Sequence, residues 1–342
     1  MNPNASTTII DSSVSRLVFA RIGFQQVGQP ILFTLGTIGC LLNICIFLRQ
    51  SMRSNSCAMY FHTSSWANLF CLTWGLFIGM LGFFTNYYPI GYNSILCKTR
   101  YYLLTACQLI SRGCVVMACL DRFLLCSPNV RYRSFCQRKI ALKVIFLIIL
   151  ICLCLSIYTL IVYEPNSAFN CTLNSAIGRI IDTTVLFVFN FGIPALSMSS
   201  LSGLIIWRLK QNSQRFAQQR VHVRKRDVQL SAMLIGQVVL YIVTALPFVC
   251  NFVYLSITQY DPPSMRTPYR NAAEGLAIVA TGAFGTYVFN AMTFYIYTLT
   301  APSFRRELFA LIIPRQRMNQ VPRTNPQHLS RSNRINPSHS HP

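Results

Sequence analysis

The sequence predicts an all-α membrane protein, a seven-transmembrane helix bundle. Three observations predict it. Apolar residues make up 53% of the 342-residue chain, while Asp, Glu, Lys and Arg together reach only 11%. A soluble protein carries about 25% charged residues, so this chain has too few charges to cover a water-exposed surface. The apolar residues are gathered into seven runs, each long enough to cross a hydrocarbon core about 30 Å thick as a helix. Finally, the 30 basic residues far outnumber the 8 acidic ones and flank the runs, which directs the basic excess toward a membrane before nucleic acid.

The runs cover residues 30–48, 59–85, 98–126, 140–163, 178–209, 228–258 and 272–299. Several are longer than a perpendicular crossing needs, which implies tilt or extension into water. Helices are expected because lipid offers no partners to backbone N–H and C=O groups, and the runs are too long for barrel strands. The first run has no basic segment or small-residue cleavage site before it, so a removable signal peptide is not expected. The third run ends in Asp121-Arg122-Phe123; the fifth holds Pro194 and the sixth Pro247. No internal repeat is visible, which weighs against a transporter of duplicated halves. The expected organisation is an extracellular segment at 1–29, the membrane domain at 30–299, an amphipathic helix on the inner leaflet at 300–313, and a disordered basic cytoplasmic tail at 314–342.

Orientation follows from Lys and Arg, which concentrate on the cytoplasmic side. Grouping alternate loops places 21 basic residues on the side of the carboxyl terminus and seven on the other. The amino terminus is therefore expected outside. The sequon Asn4-Ala5-Ser6 on that side is a candidate glycosylation site. Of 14 cysteines, only Cys97, at the outer start of the third run, and Cys171, in the loop between the fourth and fifth, face an oxidising compartment. A bond between them pins that loop over the bundle; the alternative is two free thiols. Asn170-Cys171-Thr172 is also a sequon, but with that cysteine in its middle.

Seven helices with an outer amino terminus, the Cys97–Cys171 pair and Asp121-Arg122-Phe123 together resemble a rhodopsin-like (class A) G-protein-coupled receptor. Arg122 lies 25 residues after Cys97, the spacing of that family, and the resemblance extends over about residues 30–312. Pro194 and Pro247 match the family's two kinked helices. Thr293-Phe294-Tyr295-Ile296-Tyr297 resembles its Asn-Pro-x-x-Tyr motif, and the amphipathic stretch 304–312 resembles its eighth helix, lying on the inner leaflet. The stretch Arg53-Ser54-Asn55-Ser56-Cys57 is most similar to invertebrate receptors of the FMRFamide and related neuropeptide kind.

What the resemblance implies is a switch. Asp121 and Asp227 fall at the inner ends of the third and sixth helices, and Arg122 bonded to both would hold those helices together at rest. Outward motion of helix 6 would then free the arginine and admit a G protein, with Tyr297 part of the same coupling end. Such a pair is a plausible two-state element; the alternative for Asp227 is a solvated residue in a basic run. Deeper in the membrane, Asn68 stands where the family usually has aspartate. With Ser111, Asn290 and Thr293 it is expected to form one hydrogen-bonded cluster, and without the carboxylate sodium binding is not expected. Arg112 lies about 15 Å above Arg122. An arginine there costs roughly 2.5–3.5 kcal/mol on insertion scales, so it needs partners. Two readings stand: a relay contacting Pro194 and Tyr241, or a structural arginine on backbone carbonyls or Asn68.

The ligand site is expected in the outer half. Leu104 replaces the aspartate of amine receptors, and the seventh run has no lysine for retinal. Leu104, Thr105, Gln108, Asp182 and Glu274, with basic Lys98, Arg100 and Arg179 nearby, suggest a partly acidic mouth suited to a short peptide with a basic end. The family pattern also has departures: Cys40 stands where asparagine usually follows glycine in helix 1, with Asn43 one turn further on, helix 4 lacks tryptophan, helix 6 reads Thr244-Ala245-Leu246-Pro247, Leu201 and Ser202 replace a helix 5 tyrosine, and Pro128 comes one residue early. The tail has no cysteine to palmitoylate. No metal-ligand spacing, phosphate loop or nucleophile–base pair is found, so no metal, cofactor or enzymatic activity is expected. The expected function is a plasma-membrane receptor coupling an extracellular ligand, a neuropeptide by resemblance, to a heterotrimeric G protein. The alternative is a seven-helix channel or transporter.

Overall fold

The computed structural model of the chain describes residues 3–53, 55–85, 89–127, 129–166, 171–173, 175–219, 225–258, 261–262 and 265–312. The seven runs become seven helices long and apolar enough to cross a membrane: span 1 Ser12–Leu48, span 2 Ser56–Thr85, span 3 Ser94–Leu125, span 4 Arg138–Val162, span 5 Ala176–Arg208, span 6 Gln229–Leu255 and span 7 Pro268–Thr300. Four of them start at a side-chain cap, which supplies an acceptor to N–H groups that a helix end leaves unpaired. Asn55 accepts from Cys57 N, Asn93 from Ile95 N and Leu96 N, Ser175 from Gly178 N, and Thr267 from Arg270 N. In span 7 Pro268 follows its cap in the first turn, where a missing N–H costs nothing.

The start of span 1 departs from expectation. The helix starts well before the apolar run: it begins at Pro3, widens to a π turn over Phe24–Gly28, and continues to Leu48. The physical reason is local, since no glycine or proline interrupts the chain between Pro3 and Gly23. This extension packs beside the first half of span 7.

Span 3 is the axis of the bundle. It packs against spans 2, 4, 5 and 6, and 61% of its apolar window is buried against 22% for spans 4 and 5. The low burial of span 4 is that of a peripheral helix: Leu142, Phe146 and Leu150 recur one turn apart on its exposed face. Span 1 closes the ring against spans 2 and 7, and Gly36 permits the approach, because a Cβ there would stand 2.7 Å from Ala291 Cβ and 2.8 Å from Leu72 Cδ1. Small residues at such crossings replace the hydrophobic driving force that lipid removes.

Span 5 is irregular at Leu186–Gly192, a π turn in which Ile193 N bonds Val188 O. Pro194 follows it. Proline has no N–H and its ring crowds the carbonyl four residues back, here Asn190. Pro247 lies inside the long helix that contains span 6.

Between spans 4 and 5 the chain forms an antiparallel hairpin of β1 (Tyr163–Pro165) and β2 (Cys171–Leu173), pairing Tyr163 with Leu173 and Pro165 with Cys171. The Cys97–Cys171 disulfide, with Cα atoms 5.6 Å apart, ties it to the start of span 3. Tyr163 stacks on Tyr101, centroids 3.9 Å apart. After span 7 the chain turns at Ala301 into a short helix, Pro302–Ile312, which buries Phe304 and exposes Arg305 and Arg306. Arg49, just after span 1, pairs with Glu307 of that helix at 3.0 Å.

Candidate functional site

Three layers of polar side chains lie along span 3, in a core whose largest fully buried side chains are Arg112 and Arg122.

The first layer is at the end remote from the disulfide. Arg122, 1% exposed, donates from Nη2 to Asp121 Oδ2 at 2.8 Å and to Asn55 Oδ1 at 2.5 Å. Ser56 donates to the other oxygen of Asp121 at 2.7 Å. Asn55 thus does two jobs: its side-chain oxygen caps span 2 and receives the arginine. Cys136, in the loop after span 3, points its sulfur at the Asp121 carbonyl at 3.2 Å, and burial together with the Asp121 charge pushes that thiol up to about 12. Asp227 belongs to the helix that begins at Lys225, but its side chain lies outside the described residues. Tyr297 is buried among Phe47, Phe61 and Phe304, and its phenol donates to Gln237 Oε1 at 2.8 Å, joining span 7 to span 6.

The middle layer divides. Ser111 bonds Asn68 at 2.6 Å and Ser64 at 3.0 Å, joining spans 2 and 3. Asn43 of span 1 instead reaches Thr293 at 3.4 Å, while Asn290 bonds the Thr286 carbonyl of its own helix at 3.1 Å. The single cluster expected of Asn68, Ser111, Asn290 and Thr293 is therefore two sets of bonds among the described residues, because Asn68 turns to span 3 while Thr293 faces span 1.

Among the described residues Arg112 bonds neither Asn68 nor a backbone carbonyl. It reaches span 5, where Nη1 donates to Asn190 Oδ1 at 3.1 Å. Three rings surround the guanidinium, Phe191 at 5.7 Å, Tyr241 at 5.8 Å and Phe289 at 5.9 Å from Cζ. Cation–π contact with desolvated rings is worth about 2 kcal/mol or more, which offsets part of the cost of the buried charge. The Tyr241 phenol donates to the Asn190 carbonyl, which Pro194 has no N–H to serve.

The third layer lies toward the disulfide. Thr105 and Gln108 are buried and Leu104 half-buried. Asp182 is buried and accepts from Tyr158 at 2.9 Å. Glu274 accepts from Arg270 at 2.7 Å and Tyr254 at 3.1 Å, and Arg270 also holds Asp261 at 2.6 Å. Lys98 faces Glu164 at 3.6 Å. In the expected mouth both carboxylates thus have partners within the protein, Asp182 a neutral phenol and Glu274 a guanidinium and a phenol. Asn4 falls in the first helix with its side chain outside the described residues; Pro128, Asn170 and the tail from residue 313 lie outside them altogether. No group of three metal-ligating side chains occurs among the described residues.

Sequence reasoning missed Asn190, Gln237, Phe191 and Phe289, and named Asn55 and Ser56 without their contacts to Arg122 and Asp121. Two carried a signal. Asn55 before the apolar start of span 2 is a recognisable cap, and Asn190 sits four residues before a proline.

A family model described as 7 transmembrane receptor (rhodopsin family) matches residues 39–282, most of the chain. No curated protein matches it. The family match ends before Asn290, Thr293 and Tyr297.

Proposed function

This chain belongs to the rhodopsin family of seven-transmembrane receptors, and from that premise we propose that it turns the binding of an extracellular peptide into G-protein activation through outward movement of span 6. Receptors of this family are multi-pass plasma-membrane proteins that couple an extracellular ligand to a heterotrimeric G protein. The amino terminus and the disulfide-tied hairpin are outside, and Arg122 and the short helix Pro302–Ile312 are at the cytoplasmic face, with its exposed arginines toward anionic lipid.

The observation that carries the proposal is the closure around Arg122. Its guanidinium is buried and bonded to Asp121 and Asn55, and Tyr297 ties span 7 to span 6 at Gln237. In that arrangement the arginine is withheld from a G protein. Moving span 6 outward breaks the Tyr297–Gln237 bond, and Pro247 supplies a weak point in its helix. Both ends of the bond are buried, so losing it is resisted until ligand binding favours the moved state. Peptide of the neuropeptide kind is the ligand class we favour, on the sequence resemblance and on a mouth with paired charges and aromatic side chains.

The test is expression of the chain in cells with calcium and cyclic-nucleotide readouts, challenged with a neuropeptide library. Asp121→Asn should raise ligand-independent signalling, and Arg122→Ala should abolish the response at equal surface expression. Neither variant changing signalling, or a peptide response that persists without any G protein, would overturn the proposal.

A further inference from the structure

We propose that Arg112 and Asn190 form an interior binding site for a small monovalent anion, with chloride the natural occupant. The guanidinium has five N–H donors in a planar fork. One end donates through Nη1 to Asn190, and the rings of Phe191, Tyr241 and Phe289 surround the cation. Nε and Nη2 remain. These two share one edge of the group and point the same way, the geometry with which arginine grips an anion through parallel hydrogen bonds. Both are buried and have no hydrogen-bond partner among the described residues, and the same holds for Asn190 Nδ2 on the adjoining amide. Three orphaned donors thus sit on the two groups that the Arg112–Asn190 bond joins.

The charge points the same way. On span 3 the acid beyond Arg112 is Asp121, about 13 Å along the helix, and it is bonded to Arg122 and Ser56. Asp182 and Glu274 lie toward the disulfide and are held by Tyr158 and by Arg270. Among the described side chains no carboxylate neutralises Arg112. The rings answer the cation through their faces, which carry no formal negative charge. A water molecule satisfies donors yet leaves the charge in place. A single small anion does both, at a guanidinium that is 1% exposed and so withdrawn from bulk solvent. The site joins span 3 to the π turn of span 5 beside Tyr241 of span 6, so its occupant stabilises the packing of these three helices.

The experiment is thermal unfolding of the purified full-length chain in lipid nanodiscs, titrating sodium chloride against sodium gluconate at constant ionic strength. The expected result is a saturable rise of about 2–4 °C in the midpoint, reproduced by bromide and absent in Arg112→Met. Asn190→Asp provides the second arm. It places a carboxylate beside the guanidinium, so its midpoint should no longer respond to chloride and should match or exceed that of the wild type in chloride. A wild-type midpoint indifferent to chloride overturns the proposal, as does an equal rise in Arg112→Met. Should that variant fail to fold, a chloride response in Asn190→Asp as large as in wild type overturns it equally.

Discussion

The phenol of Tyr241 donates its proton to the main-chain carbonyl of Asn190, the one that Pro194 cannot serve. Span 6 therefore completes the hydrogen bonding of span 5 at its irregular turn. The same tyrosine faces the Arg112 cation with its ring.

Tyr241→Phe keeps the ring and removes the donor. The Asn190 carbonyl is then left buried and unpaired by the phenol, at roughly 1–3 kcal/mol. Thermal melting of the purified chain should show a midpoint lower by several degrees. An unchanged midpoint would show that the phenol carries no stability.

Asn55 caps span 2 and holds Arg122, so its two variants should diverge. Asn55→Ala loses both functions; the cap alone costs about 1 kcal/mol, and ligand-independent signalling should rise roughly fivefold. Asn55→Asp keeps the cap and sets a second carboxylate beside the arginine, so its basal signalling should stay at or below the wild-type level. Equal basal activity in both variants, at matched surface expression, would remove Asn55 from the switch.

Tyr297 and Gln237 are tested as a pair. Tyr297→Phe and Gln237→Leu each break the 2.8 Å bond, so the double variant should change basal signalling no more than the stronger single one. Effects that multiply in the double variant mean that the two residues act independently.

The disulfide closes a loop spanning 74 residues. Cys97→Ser or Cys171→Ser should lower stability by about 2–5 kcal/mol, as removal of a native disulfide typically does, and should reduce receptor at the cell surface. Labelling with a membrane-impermeant maleimide should mark the partner cysteine in each variant and neither in the wild type. Labelling of the wild type at these cysteines would deny the bond.

Much of the fold is legible in the sequence because the bilayer imposes it. A hydrocarbon slab demands long apolar helices, and seven such runs appear as seven spans. The start of span 1 was not legible, since hydropathy marks where lipid lies and not where a helix continues into water. Within the site, Asp121, Arg122 and Tyr297 stand out by motif. Their partners do not: Asn55, Gln237 and Asn190 are single polar residues lying 67, 60 and 78 positions from Arg122, Tyr297 and Arg112, with no periodicity to announce them. In the mouth one pairing was legible. Arg270 lies four residues before Glu274, a spacing that pairs charges on a helix face, so that carboxylate was already answered within its own span.

Span 1 has a consequence for access. Its 37 residues from Ser12 reach about 56 Å as a helix, nearly twice the hydrocarbon thickness, and the helix packs against the start of span 7 with Arg21 lying beside Gly275. The flank of the bundle formed by spans 1 and 7 is therefore walled by helix beyond the length that a hydrocarbon core needs.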